Sequence, residues 1–225
     1  STLTEKQTAS LFDTGTLTSE DAIIRAKDVE EMTGHFLMFN EMLKTYSLPL
    51  SHELIQRYHY KLKSGVFEDI ANGYPIGAYK NRRNMVSNIV TALPEEVEAR
   101  MTELLEWYNA AEQHTLDGLA RFHAEYERIH PFQDGNGRTG RIILFKECLK
   151  NGIVPFIVRD DRKVDYYHAL NAAQTEADYG PLERFFGEEQ AEYRALVEGF
   201  VLPMERPADS KEKGRDTGRR SEPER

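Results

Sequence analysis

Apolar residues recur every three or four positions along most of the chain, the spacing of helices that bury one face. One stripe runs from Ile24 to Leu43, and a second, over 54–62, stops before Gly65, a residue that favours a helix C-terminus. Pro94 stands where a helix can begin, and apolar spacing continues behind it to Tyr108. Further ladders follow at 116–129, 142–149, 166–175 and 181–200. The pattern predicts an all-α body.

Residues 70–90 interrupt this rhythm with several turn-forming residues. Residues 76–79 and 85–87 fit two short extended arms of a β-hairpin, with 80–84 at its tip. An ordinary loop fits the same residues equally well, so both interpretations stay open here.

The last part of the chain, residues 203–225, has almost no apolar side chain and mixes basic with acidic residues. Such a segment cannot bury enough surface to offset its ordering entropy, and we expect it to be disordered. The chain is therefore divided into an N-terminal segment (1–17), a helical domain (18–202) and a charged tail (203–225).

Composition narrows the function classes. The 225 residues carry a formal net charge of −9, which argues against non-specific nucleic-acid binding. No apolar run approaches the roughly 18–20 residues that cross a bilayer, and the first residues lack the features of a signal peptide. Cys148 is the only cysteine, which excludes an intrachain disulfide and a cysteine-based zinc site. We expect a cytoplasmic protein without nucleic-acid or membrane partners.

The densest chemistry lies between two predicted helices, in the twelve residues HPFQDGNGRTGR at 130–141. Gly135 and Gly137 permit backbone twists that turn consecutive N–H groups toward one point. The next helix begins near Arg138 and adds its own unpaired N–H groups and dipole. Arg138 and Arg141 share one helix face. Together these groups predict a site for several phosphates.

Three polar side chains complete this loop. Asp134 is its one carboxylate and suits a Mg²⁺ ion that bridges phosphate oxygens. Asn136 can donate its side-chain amide to a phosphate oxygen, and His130 is the group able to take a proton at neutral pH.

Other interpretations fit these residues less well. A calcium loop needs oxygen ligands at its fifth and twelfth positions, where this chain has Arg138 and Phe145. A Walker-type phosphate loop needs a Gly-Lys-Ser/Thr sequence after a strand, and the lysine is absent. A purely structural turn would use the glycines but would not require His130 and the two arginines.

The same twelve residues match every specified position of the Fic-domain signature, H-x-F-x-[D/E]-G-N-G-R-x-x-R, and the chain resembles Fic domains over about 11–200. The resemblance implies a Fic-type helical bundle with a short β-hairpin flap over 18–202. It also implies a Mg²⁺-dependent protein adenylyltransferase, which transfers AMP from ATP to a Ser, Thr or Tyr hydroxyl of a target protein or of itself and releases pyrophosphate. There are two alternatives. The chain could transfer another group (UMP, phosphate or phosphocholine), or it could be a nucleotide-binding module without catalytic activity.

The resemblance assigns a role to each matching residue. His130 would deprotonate the incoming hydroxyl, and Asp134 would hold Mg²⁺. The ATP phosphates would be bound by Gly135, Asn136, Gly137, Arg138 and Arg141.

Two segments outside the signature also resemble family parts. Gly77-Ala78-Tyr79-Lys80 resembles the start of the flap that positions the target segment. Tyr166, Tyr167 and Gln174 resemble the helix that lines the adenine pocket, although a tyrosine at helical spacing fits a core position as well. Gln174 stands where many relatives have Asn, which leaves the nucleotide preference open.

The first residues, Ser1-Thr2-Leu3-Thr4-Glu5, resemble the stretch that follows an inhibitory Glu-Gly pair in relatives whose inhibitory helix lies N-terminal to the domain. The resemblance therefore implies an inhibitory helix, either upstream of Ser1 or on an antitoxin-like partner. The sequence does not indicate the target protein, the modified residue or the oligomeric state.

Overall fold

The computed structural model describes residues 3–16, 24–86 and 89–201, the last three without their side chains. In these ranges the regular structure is helical and contains no β-strand, which confirms the predicted all-α class. The α-helices are α1 (Glu5–Thr14), α2 (Ala26–Thr45), α3 (His52–Lys63), α4 (Phe67–Ala71), α5 (Pro94–Asn109), α6 (Leu116–Ile129), α7 (Asn136–Lys150), α8 (Lys163–Glu176) and α9 (Gly180–Val201).

Local sequence explains where several helices begin. The Ser51 hydroxyl accepts a hydrogen bond from the Leu54 N–H (3.2 Å) and caps α3. Pro94 is the first residue of α5, where its missing N–H leaves no intrahelical bond unmade. A 3₁₀ turn over Asp160–Arg162 leads into α8.

Two hydrophobic cores lie on either side of the α6–α7 pair. The first joins α6 and α7 to α2, α3 and α5, and the second joins them to α8 and α9. Phe132, in the connection between α6 and α7, is fully buried in the first core. The connection is thereby fixed to the interior of the protein.

The predicted hairpin pairing between 76–79 and 85–87 is wrong in the described residues, where the one β-bridge joins Val86 to Ile89. Two N–H groups in and directly after the first arm have partners elsewhere in the fold. The Gly77 N–H donates to His59 Nδ1 (3.0 Å), and the Lys80 N–H donates to the Pro131 carbonyl (2.8 Å). This arm is therefore packed against the α6–α7 connection.

Some predictions concern residues outside the described ranges. The predicted disordered tail, 203–225, lies outside them, as do Ser1, Thr2 and Ser87. The boundaries of the N-terminal segment and the helical domain stay predictions. In the part of the chain that the structure describes, every helix is too short or too polar to cross a membrane.

Candidate active site

The connection between α6 and α7 is a tight loop that closes on itself. His130 adopts a left-handed conformation (φ 54°) and ends α6, with its N–H bonded to the Tyr126 carbonyl (3.0 Å). Gly135 (φ 82°) then caps α7. Within the loop, Asn136 Oδ1 accepts from the Phe132 N–H (2.7 Å) and Asn136 Nδ2 donates to the Phe132 carbonyl (2.8 Å). The buried Asn136 side chain thus fixes the loop, in contrast to the phosphate contact expected of it, and leaves its backbone N–H at the helix N-terminus.

His59 of α3 supports the loop from below. Its ring stacks on Phe132, with ring centres 3.8 Å apart. Because Nδ1 accepts from the Gly77 N–H, the proton is on Nε2, which donates to the Asp134 carbonyl (3.0 Å). Burial lowers the pKa of His59 to about 4, which keeps the ring neutral in this role.

The imidazole of His130 is held on one side only. Nδ1 lies 3.3 Å from the Glu127 carbonyl, and Nε2 has no hydrogen-bond partner in the described part of the chain. Burial lowers the pKa of His130 to about 4, and the side chain is 17% exposed. At neutral pH the ring is therefore unprotonated and can accept a proton on Nε2.

His130 borders a cavity of about 680 Å³ that also contains most of the residues predicted to bind nucleotide. This volume lies within the range of pockets that enclose a small molecule. The cavity is lined by Gly137 and Arg141 of α7, by Tyr166, Tyr167, His168, Leu170, Asn171 and Gln174 of α8, by Glu127 of α6, and by Val86 and Ile89. Residues separated by up to 88 positions in the chain thus meet at one site.

The three residues predicted for the adenine pocket differ in their exposure. Tyr166 is 1% exposed and its hydroxyl lies 2.7 Å from His123 Nε2, so it belongs to the second core and forms the cavity floor. Tyr167 is 54% exposed at the rim. Gln174 Nε2 donates to the Ala124 carbonyl (3.4 Å). Asn171, one turn before Gln174, also lines the cavity and was not predicted.

Arg138 and Asp134 belong to a charged cluster beside the loop, the Lys63 cluster (Glu31, Lys63, Asp69, Asp134 and Arg138). Lys63 Nζ lies 3.0 Å from Glu31 Oε1 and 2.7 Å from Asp134 Oδ2, and it also contacts Asp69. Arg138 bonds Glu31 with both terminal nitrogens, at 2.9 Å each. The three carboxylates are close enough together to hold a metal ion, but each of them already contacts the Lys63 ammonium.

Asp134 remains chemically available within this cluster. Burial disfavours its charged form, but Lys63 outweighs burial and lowers the pKa of Asp134 to about 2. Its side chain is 42% exposed. A charged, accessible carboxylate is the kind of oxygen ligand that Mg²⁺ prefers, so the residue fits the predicted metal.

Sequence reasoning missed Lys63 and Glu31. Lys63 follows His59 by four residues on the apolar face of α3, where Ile55 and Leu62 are fully buried. A lysine on an apolar helix face requires an anionic partner, because an unpaired buried charge is strongly unfavourable. The position of Lys63 on the apolar face of α3 was thus the sequence signal that could have indicated a buried ion pair.

Arg141 has a different environment from Arg138. No carboxylate lies within 4 Å of its guanidinium in the described part of the chain. It borders the large cavity and, together with Arg138, a second cavity of about 260 Å³ between α2 and α7. Its guanidinium interacts with the Tyr166 hydroxyl and with the charge of Glu127, but it lacks the paired carboxylate that Arg138 has.

Lys80, predicted to position a target, is instead 3% exposed. Its Nζ donates to Asn84 Oδ1 (2.7 Å), Thr91 Oγ1 (3.1 Å) and the Ile129 carbonyl (3.4 Å). Burial lowers the pKa of Lys80 to about 8. The side chain thus joins the segment around 84–91 to the end of α6.

Known proteins resemble the part of the chain that contains the loop. The model of the Fic/DOC family matches residues 49–147, which include the loop, α3 and α5–α6. The chain is 32% identical over 121 residues to the protein adenylyltransferase Fic of Nematostella vectensis, covering 52% of this chain and 28% of that protein. The chain thus spans little more than a quarter of the length of this curated relative.

Two solved structures share the fold. A Fic domain-containing signalling protein from Bacteroides thetaiotaomicron superimposes with a TM-score of 0.76 at 25% identity, covering 87% of this chain and 80% of that one. The BepC protein of Bartonella tribocorum, solved with bound AMPPNP, has a TM-score of 0.56 at 16% identity, covering 79% and 93%. At 16% identity the second likeness concerns the fold alone.

Proposed function

Residues 49–147 belong to the Fic/DOC family, and on that premise we propose that the chain transfers AMP from ATP to a hydroxyl of a protein. One observation carries the proposal: His130, Gly137 in the first turn of α7, and Arg141 line the same cavity. A base, an anion site and a nucleotide-sized space are then within reach of one another. The relative named as a protein adenylyltransferase supports this choice of reaction.

We place the triphosphate at the start of α7 and the base of ATP against α8. The backbone N–H groups of Asn136, Gly137 and Arg138 are at the helix N-terminus, where the dipole favours negative charge. Arg141 adds a charge-assisted contact to the phosphates. Tyr167, Asn171 and Gln174 would then border the adenine, which puts the α-phosphate nearest to His130.

The transfer step follows from this arrangement. His130 Nε2 accepts the proton of the target hydroxyl, whose oxygen forms a bond to the α-phosphorus while the bond to pyrophosphate breaks. Backbone N–H groups and Arg141 stabilise the negative charge on the phosphates. Most of the rate acceleration would come from positioning and charge, as is usual for transfer at phosphorus.

Asp134 would hold Mg²⁺ in this reaction. The ion supplies charge neutralisation on the phosphate oxygens when it is bound. The Lys63 cluster orients the Asp134 carboxylate before substrate arrives, because Lys63 bonds one of its two oxygens.

The target segment would enter beside Met85, Val86, Ile89 and Val90. Val86 and Ile89 line the cavity together with His130, and Met85 and Val90 are 83% and 89% exposed. Exposed apolar side chains next to a catalytic cavity suit the docking of an extended peptide. A target-positioning role for Gly77–Lys80 would be indirect, through the support these residues give to this edge. The inhibitory helix and the cytoplasmic location stay predictions.

Labelled ATP tests the proposed function. The chain is incubated with Mg²⁺, a protein lysate as acceptor, and ATP labelled at either the α- or the γ-phosphate. Label from the α-position alone, found by mass spectrometry as AMP on a side-chain hydroxyl, is the expected result. Label from the γ-position alone would indicate phosphate transfer, and ATP binding without either label would indicate a nucleotide-binding module. Addition of EDTA should abolish the α-label if Mg²⁺ is required.

A further inference from the structure

Glu127 is a buried acid in the wall of the cavity to which the proposed reaction assigns no role. It lies on the last turn of α6, three residues before His130, and is 7% exposed. Its Oε2 is 4.0 Å from His130 Nδ1. Its Oε1 has no hydrogen-bond partner in the described part of the chain. A buried carboxyl oxygen without a partner is unfavourable and calls for an explanation.

The packing around Glu127 holds the carboxyl in this position. A Cβ atom added to Gly140 would lie 2.4 Å from Glu127 Oε1 and 3.0 Å from the Tyr126 ring. Only glycine at this position of α7 therefore leaves room for the carboxyl. Position 140 is unspecified in the Fic signature, so the signature itself does not account for this glycine.

We propose that Glu127 is a positioning residue for His130. The main-chain carbonyl of Glu127 bonds Nδ1 and so directs Nε2 at the target hydroxyl, and its carboxylate, 4.0 Å from Nδ1, stabilises the imidazolium that forms during transfer. The inference rests on the proposed adenylyl transfer and adds to it a residue that lies outside the signature.

The charge balance of the reaction explains why an acid is useful there. When the hydroxyl O–H bond breaks, its proton moves to Nε2 and the imidazole becomes positively charged. The hydroxyl oxygen bonds the α-phosphorus, and pyrophosphate takes the electron pair of the bond that breaks. A carboxylate beside Nδ1 stabilises the new positive charge, the role that the acid has in a hydrolytic triad.

Protonation of Glu127 provides a signature for this role. Burial raises the pKa of Glu127 to about 7, and Arg141 acts in the opposite direction. The titratable groups around it are His130 and Tyr126 on α6, Arg141 on α7 and Tyr166 on α8, with Lys80 near His130. His130 is already neutral above pH 5, so a change in rate near pH 7 would report the ionisation of Glu127.

Steady-state kinetics of Glu127→Gln and Glu127→Asp test the proposal, with the exposed Glu106→Gln as matched control. Glu127→Gln keeps the size of the side chain but not its charge. We expect kcat to fall by at least about 10-fold, while KM for ATP changes by less than about twofold. The rise in kcat through pH 7 should disappear in Glu127→Gln. Glu127→Asp should recover part of kcat, and Glu106→Gln should match the unaltered chain.

A measurement that needs no activity accompanies the kinetics. The ring signals of His130, assigned by NMR with His130→Ala as reference, should shift through pH 7 in the unaltered chain and stay constant in Glu127→Gln. Unchanged kcat in Glu127→Gln, a loss that lies wholly in KM for ATP, or an identical NMR titration in both proteins would overturn the inference. If the unaltered chain transfers no AMP, the proposed function fails, and the NMR titration still decides whether Glu127 acts on His130.

Discussion

Arg138 and Arg141 leave the same turn of α7 and enter different surroundings. Arg138 is bonded twice by Glu31 at 2.9 Å and belongs to the Lys63 cluster. Arg141 has no carboxylate within 4 Å in the described part of the chain and faces the nucleotide-sized cavity. On the Arg138 side of the loop, the charges are thus paired before any substrate arrives. On the Arg141 side, the guanidinium has no paired carboxylate and can bind an anionic ligand.

The difference separates two tasks that the signature combines. The ion pairs of the Lys63 cluster hold the loop in one position. If the loop moved, these ion pairs would break and a buried charge would lose its partner, which is strongly unfavourable. An arginine without a carboxylate partner can form strong bonds to phosphate oxygens without first breaking an ion pair. The loop is therefore supported from the Arg138 side and functions on the Arg141 side.

Loss of the catalytic base, on the Arg141 side of the loop, should have the largest effect on AMP transfer. His130→Ala removes the group that accepts the hydroxyl proton, and we expect AMP transfer to fall by about 10²- to 10⁴-fold. ATP affinity, measured by calorimetry, should change little because the phosphates are held by α7. His114→Ala is the control, since this histidine lies outside the cavity. Full transfer by His130→Ala would contradict the assignment of the base.

Removal of the Lys63 ammonium should disrupt the Lys63 cluster on the Arg138 side of the loop. Lys63→Met leaves the Glu31, Asp69 and Asp134 carboxylates without their shared partner, and Lys63 is 1% exposed. Loss of one partner from a buried ion pair costs about 3–5 kcal/mol, so the free energy of unfolding should fall by that order. Urea unfolding measures it, with the exposed Lys44→Met as control. An unchanged midpoint would show that the cluster does not hold the loop.

Sequence reasoning succeeded where the determinants are local. The twelve-residue loop, the helix start at Pro94 and the apolar stripes each depend on neighbours a few positions away. The family resemblance predicted that α8 borders the nucleotide site; Gln174 and His130 line one cavity, and the adenine-binding role of α8 stays a prediction.

Contacts between distant residues explain what the sequence did not indicate. Lys63 meets Glu31 and Asp134 across 32 and 71 positions, and Arg138 meets Glu31 across 107. The hairpin prediction was wrong for the same reason, because the His59 ring takes the Gly77 N–H of the first arm and the Pro131 carbonyl takes the Lys80 N–H directly after it. Periodicity records which face of a helix is buried but not which partner that face meets.

Matched substitutions of the two arginines sharpen the comparison directly. Arg141→Gln should weaken ATP binding by about 10- to 100-fold, the equivalent of one charge-assisted bond of about 1.5–3 kcal/mol. It should leave the thermal midpoint unchanged. Arg138→Gln should instead lower the midpoint, because Glu31 loses a two-nitrogen partner, and it should affect ATP affinity less. Calorimetry measures the ATP affinity of both variants, and thermal unfolding measures their midpoints. If Arg138→Gln lost more ATP affinity and Arg141→Gln lost more stability, the assignment of support to Arg138 and of ligand binding to Arg141 would be refuted.

Two neighbouring tyrosines, Tyr166 and Tyr167, offer a second comparison of a buried with an exposed side chain, and here we expect the smallest effect on stability. Tyr166 is buried with its hydroxyl 2.7 Å from His123 Nε2, whereas Tyr167 is 54% exposed at the cavity rim. Burial lowers the pKa of His123 to about 3, so its ring stays neutral and loses a partner outright in Tyr166→Phe. We expect the free energy of unfolding to fall by about 1–3 kcal/mol. Tyr167→Phe, the matched control, should leave it unchanged in the same urea titration, because an exposed hydroxyl exchanges its partner for water. Equal stability of the two variants would mean that the Tyr166–His123 bond does not stabilise the cavity floor.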